Sequence, residues 1–219
     1  MVKAVIFDLD GLLIDTEIIA YKIYKEISRE YGYDFSKEEY VKNYSGIAMR
    51  KNVANFIETY HLPWTLEEGV EKVRAMEIRM LEEGVDLKAG AETLLSYLKT
   101  HGYKIGVASS SIEKRAMDIL EQHDVAKYFD KFVFGHEVTK GKPHPDIFIK
   151  ACEKLGEEPE DCLVLEDSEA GIQAAHSAQI PVICIPDMKM PGEDFLKMTE
   201  IMLDSLADVV PYLENKSLK

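Results

Sequence analysis

Short runs of apolar residues alternate along this chain with stretches whose apolar residues recur every three or four positions. The first run, 3–7, is rich in β-branched residues and stops abruptly at Asp8, which predicts a buried strand ending in acid. Beyond Asp10-Gly11 the period changes. Ile19, Ile23 and Ile27 fall on one face of a predicted helix over 17–31, closed by Gly32. Further helical patterns cover 37–43, 49–60 and 66–83, and no strand pattern interrupts 16–84. From Val85 strands and helices alternate: helices at 91–100, 113–123, 145–155 and 170–178, strands at 104–108, 132–135, 161–166 and 181–185. The tail, 193–219, carries one helix and a short piece at 207–210.

Alternating strands and helices predict an α/β fold, a doubly wound and mainly parallel sheet covered on both faces. An all-helical block inside that alternation reads as a separate inserted domain. The expected organisation is therefore a core of 1–15 plus 85–219, with a helical domain at 16–84. Two linkers, near 15–17 and 83–87, join them and suggest a hinge.

The 219 residues, 46% hydrophobic and 30% charged, suffice for a substantial core in one or two domains. Apolar runs fall far short of the roughly 18 residues that suggest a membrane span. Met1-Val2-Lys3-Ala4 leads directly into the first strand without a leader pattern, so a soluble, cytoplasmic monomer is expected. The net charge of −14 argues against nucleic acid as a partner, since phosphate neutralisation needs basic patches. It also offers no long-range attraction to an anionic substrate, which would have to be captured locally. Cys152, Cys162 and Cys184 are odd in number and widely spaced, and read as reduced packing residues. The six histidines show no metal-ligand spacing, and no Gly-x-Ser-x-Gly nucleophile elbow is present.

Four segments carry the candidate chemistry. Asp8-Leu9-Asp10-Gly11 ends the first strand, and a carboxylate there is costly unless something positive meets it. Val107-Ala108-Ser109-Ser110-Ser111 ends a second strand in hydroxyls. Gly141-Lys142-Pro143 sets a lysine between two backbone punctuators. Leu163-Val164-Leu165-Glu166-Asp167-Ser168 ends a third strand in an acid pair. Strands ending in polar groups fit the rule that open α/β sheets bind ligands beyond their carboxyl ends. Each segment alone has a plain alternative: an acidic strand cap, Ser109 as a helix cap (though Ser110 or Ser111 can fill it and leave Ser109 free), an ordinary loop, an acidic helix start.

In this order, over essentially the whole chain, the four segments resemble the haloacid dehalogenase superfamily. The nearest likeness is to its helical-cap branch, which includes β-phosphoglucomutase and sugar-phosphate phosphatases. That resemblance implies phosphoryl transfer, with Asp8 as nucleophile through an aspartyl-phosphate and Asp10 as general acid and base. It implies Mg2+ on hard oxygen ligands: Asp8, the Asp10 main-chain carbonyl, Asp167, and Glu166 directly or through water. Ser109 and the backbone near Ser110 would bind the phosphoryl oxygens, and Lys142, the only basic residue in the four segments, would offset the carboxylates.

Within the helical domain, Gly46-Ile47-Ala48-Met49-Arg50 resembles the family's substrate-specificity loop, making Arg50 a candidate substrate ligand. The mutase's cap histidine aligns with Ala20, and its two distal-phosphate ligands align with Ile112 and Glu113. The expected activity is therefore hydrolysis of a small phosphorylated metabolite, a sugar phosphate first. A phosphosugar mutase is the alternative, and a non-catalytic phosphate-ligand binding module the second. Lys42 and Lys51 could provide the imine lysine of a phosphonate-cleaving enzyme, but read better as solvated helix residues.

Overall fold

The computed structural model describes residues 2–217. Its contacts divide the chain into two compact units, Met1–Asp15 with Asp86–Lys219, and Thr16–Val85.

The larger unit is built on six parallel strands: β1 (Ala4–Phe7), β2 (Lys104–Ser109), β3 (Lys131–Phe134), β4 (Cys162–Glu166), β5 (Val182–Cys184) and β6 (Ile201–Met202). Their order is β3-β2-β1-β4-β5-β6, so the winding reverses at β1, whose four residues are all inaccessible to solvent. A strand buried on both faces needs apolar residues at every position, and Ala-Val-Ile-Phe supplies them. Register sets the site. Phe7 pairs with Val107 on one side and Leu165 on the other, so the chain leaves all three central strands at one level.

Five longer helices of this unit are α5 (Ala91–Thr100), α6 (Glu113–Gln122), α7 (Asp146–Leu155), α8 (Glu169–Ser177) and α10 (Val209–Ser217), and a single turn, α9 (Glu193–Leu196), precedes β6. Helices α7 and α8 cover one face. Ile147, Phe148, Ala151 and Ile172 pack there against Ala4, Ile6, Cys162 and Val164, alternate residues of β1 and β4. On the other face α5 packs against β2 and against α10. The tail differs from expectation in holding β6 and three helical pieces: α9, a 3-10 turn at Leu206–Asp208, and α10. Strand β6 is two exposed residues at the sheet edge, too short to register as a pattern.

The smaller unit consists of α1 (Thr16–Glu30), α2 (Lys37–Asn43), α3 (Met49–Tyr60) and α4 (Leu66–Glu83). Tyr24, Phe35, Tyr40, Tyr44 and Phe56 form its buried aromatic centre. Thr65 and Glu68 close a capping box at the start of α4. Among the described residues, no helix is long and apolar enough to cross a membrane.

Candidate active site

The strand ends at the switch point carry the acids. Asp8 follows β1 directly, its N–H still donating to the Leu165 carbonyl at 3.0 Å, and its side chain is buried. Glu166, the last residue of β4, lies on the face covered by α7 and α8 and is wholly inaccessible. Lys142 comes from the loop before α7, where its bond to Pro143 is cis, and its ammonium lies 4.8 Å from the Phe148 ring centroid. It donates to Asp8 Oδ1 and, at 2.6 Å, to Glu166 Oε1.

Glu166 is held at its other oxygen as well. Oε2 accepts the Asp167 N–H, the Ser168 N–H and the Ser168 hydroxyl, each at 2.9 Å. Such a carboxylate is satisfied by this chain alone, and helix α8 passes so close to it that residue 171 has to be glycine. A Cβ there would lie 1.7 Å from Oε1.

Asp8, Glu166 and Asp167 each place a carboxylate oxygen within 4.8 Å of the others. Fully ionised, these three carboxylates would outnumber the lysine bonded among them by two charges, in largely buried surroundings. The acidities follow. Burial pushes the Asp8 carboxyl up to about 7; Lys142 opposes this, while Glu166 and Asp10 add to it. Burial also holds Asp167 well above the carboxylate range, with Glu166, Asp8 and Asp187 contributing. Burial works to lower Lys142, but Asp8 and Glu166 outweigh it and keep the ammonium charged beyond the usual lysine range.

The chain turns sharply after Asp10. Gly11 N–H donates to the Ile14 carbonyl at 2.9 Å with φ at +87°, a conformation that favours glycine, and a Cβ there would meet Asp167 Oδ2 at 2.4 Å. This turn takes the Asp10 side chain to its own partners. Oδ2 accepts from the Ser111 hydroxyl and Oδ1 from Arg115 Nη1 at 2.8 Å.

Ser109, at the end of β2, is buried, and its hydroxyl accepts the Ser111 N–H at 3.1 Å. The hydroxyl retains a proton to donate. Ser110 follows it and is exposed. None of Ser109, Ser110 and Ser111 caps α6. The N-cap is Ile112, because the Ser111 hydroxyl is committed to Asp10. Arg50 belongs to the helical unit, where it forms a two-pronged pair with Glu67, at 2.8 and 2.5 Å.

Three charged groups of this region lay outside the sequence reading. Arg115 is a second basic residue beside the strand ends, so Lys142 is not alone there. Lys88 pairs with Asp187 at 2.6 Å and with Asp15 at 3.7 Å. Asp187 follows β5 and was legible as one more acid just beyond a strand end. Arg115 and Lys88 sit in helical or loop sequence with no motif around them.

The haloacid dehalogenase-like hydrolase model matches residues 5–185, most of the chain and all of these strand ends through β5. The chain belongs to that family. It is 33% identical to the phosphorylated carbohydrates phosphatase of Thermotoga maritima, over 81% of this chain and 82% of that protein. It is 34% identical to the β-phosphoglucomutase of Bacillus subtilis, over 80% of each. Among solved structures, CbbY from Rhodobacter sphaeroides in complex with phosphate superimposes with a TM-score of 0.73 at 26% identity, covering 95% of this chain and 96% of that one.

Proposed function

We propose that this chain is a Mg2+-dependent phosphatase acting on a small phosphomonoester, a sugar phosphate first, through an aspartyl-phosphate on Asp8. As a family member with named phosphatases among its relatives, it is a phosphoric monoester hydrolase. The observation that carries the finer reading is the buried Asp8 at the switch point, bonded to Lys142 and gathered with the carboxylates of Glu166 and Asp167.

Those residues fit a divalent cation. Asp8 and Asp167 would hold it, with the Asp10 main-chain carbonyl as a further hard oxygen donor. Glu166 acts as their support, holding Lys142 at Oε1 and three donors from Asp167 and Ser168 at Oε2. When bound, Mg2+ supplies charge neutralisation for the carboxylates and the phosphoryl oxygens.

An Asp8 carboxylate oxygen forms a bond to phosphorus as the ester P–O bond breaks, and the electron pair departs on the alkoxide oxygen. Asp10 gives that oxygen its proton. Water then attacks phosphorus, Asp10 takes the proton, and inorganic phosphate leaves with the Asp8 carboxylate restored. Lys142 holds Asp8 in line, and the Ser109 hydroxyl with the Ser110 N–H would hold the phosphoryl oxygens.

Phosphatase is favoured over mutase by the two residues that follow Ser111. Ile112 is 75% exposed and Glu113 begins α6, so no cation stands at the two positions where the mutase grips its distal phosphate. The similarity to β-phosphoglucomutase keeps the mutase as a second reading. Phosphate release from p-nitrophenyl phosphate should require Mg2+ and fall at least about a hundredfold in Asp8→Asn, and turnover of an alkyl monophosphate should fall as much in Asp10→Asn. A panel of sugar, polyol and nucleotide monophosphates then ranks substrates. If β-glucose 1-phosphate with a trace of glucose 1,6-bisphosphate yields glucose 6-phosphate faster than free phosphate, the mutase reading replaces this one.

A further inference from the structure

We infer that Arg115 is a positioning residue for Asp10, fixing the carboxyl that protonates the leaving group; this rests on the reading of Asp10 given above. Arg115 lies four residues beyond Ser111, one helical turn along the chain at the start of α6. Its Nη1 reaches Asp10 Oδ1 at 2.8 Å and the Ser111 hydroxyl oxygen at 2.8 Å, while that hydroxyl donates to Asp10 Oδ2. The three side chains close a triangle. One donor on each carboxylate oxygen fixes both side-chain torsions of Asp10, where a single donor would leave the group free to swing.

The arrangement is compatible with proton transfer. Each carboxylate oxygen accepts two hydrogen bonds, so one donor apiece leaves lone pairs for the travelling proton. Both side chains are mostly buried, with 23% of Arg115 and 31% of Asp10 exposed, so solvent does not screen the pair as it would on an open surface. The effect of Arg115 falls on the leaving-group end. General acid catalysis contributes roughly a hundredfold or more, and a misplacement of about 1 Å forfeits much of it.

Leaving groups of different basicity separate this role from a structural one. Expulsion of p-nitrophenolate needs little protonation, whereas an alkyl alkoxide depends on it. kcat/KM reports the steps through phosphoryl transfer to Asp8, before water attacks. Arg115→Met is expected to lower kcat/KM roughly ten- to a hundredfold on the best alkyl monophosphate of the panel, and under about threefold on p-nitrophenyl phosphate. Arg115→Lys should recover part of the alkyl activity, and Ser111→Ala should show the same bias more weakly. Asp10→Asn with Arg115→Met should be no worse than Asp10→Asn alone. Equal losses on the two substrates, a gain in kcat/KM, or an additive double variant would overturn the inference. If Asp10→Asn itself shows no leaving-group bias, the acid reading of Asp10 fails first and takes this role with it.

Discussion

Replacing Gly171 by alanine should destabilise this protein, although the same change in an ordinary helix stabilises it. Gly171 lies in the first turn of α8, its N–H donating to the Ser168 hydroxyl at 3.1 Å. An added Cβ would lie 1.7 Å from Glu166 Oε1, 1.9 Å from Cδ and 2.4 Å from Oε2, so the whole carboxylate would have to leave. Glu166 cannot leave cheaply, because it is fully buried and accepts from Lys142, Asp167 and Ser168. Breaking a buried ion pair costs about 3–5 kcal/mol, against a helix-propensity gain of about 1 kcal/mol. The net loss is about 2–4 kcal/mol, which for a chain of this size lowers Tm by roughly 4–16 °C. Urea titration followed by circular dichroism should show a lower midpoint at unchanged slope. Glu166→Ala with Gly171→Ala should be no less stable than Glu166→Ala, since the obstructing carboxylate is then gone. A Gly171→Ala midpoint at or above wild type would refute the reasoning, because Glu166 would then not be pinned.

Lys142→Met keeps the stem over Phe148 but removes the charge that Asp8 and Glu166 share, and should cost about 3–5 kcal/mol in metal-free protein, read from the same urea titration. A loss below about 1 kcal/mol would show the carboxylates to be balanced by another group. Asp8, raised to about 7 mainly by burial, also gives a pH dependence of defined sign. Between its unfolded value near 3.8 and about 7 the native state holds more protons than the unfolded chain, so this group's contribution to stability falls as pH rises. Metal-free Asp8→Asn should therefore gain on wild type between pH 4 and 7 in chemical denaturation; a constant difference would remove Asp8 as the source. Over the same window Mg2+ must displace protons, so its affinity by calorimetry should increase with pH. Equal affinities at pH 5.5 and 7.5 would place the ion elsewhere.

The sequence reading located Asp8 and the Glu166-Asp167 pair because burial on both faces writes a continuous apolar run, and the first polar residue after such a run stands out. It reached Lys142 only through resemblance, since a loop lysine has no period. Arg115 was passed over for a related reason. Its contact with Asp10 depends on the turn at Gly11 and on where α6 begins, and Glu113 and Lys114 beside it look equally like a solvated helix start. Helix α6 starts without a serine cap, since serine's preference for that position presumes a free hydroxyl and Asp10 claims the one on Ser111. Strand β6 failed differently, being two exposed residues with no alternation to detect.

Sheet register explains why the site needs help from outside the sheet. Parallel pairing brings the ends of β1 and β4 level, and strand alternation turns Asp8 and Glu166 toward the same covering helices. Two carboxylates so placed repel each other in a medium that screens little, and no strand can supply the remedy without losing an apolar position. The remedy therefore comes from loops and helix starts: Lys142 before α7, and the Ser168 cap of α8. Burial leaves Asp8 near 7 with Lys142 offsetting it only in part, while Glu166 is bonded at both of its oxygens. For the nucleophile proposed above, a carboxyl raised to about 7 is a poor start, and the proposed divalent cation would supply the balance that the chain's own groups leave incomplete.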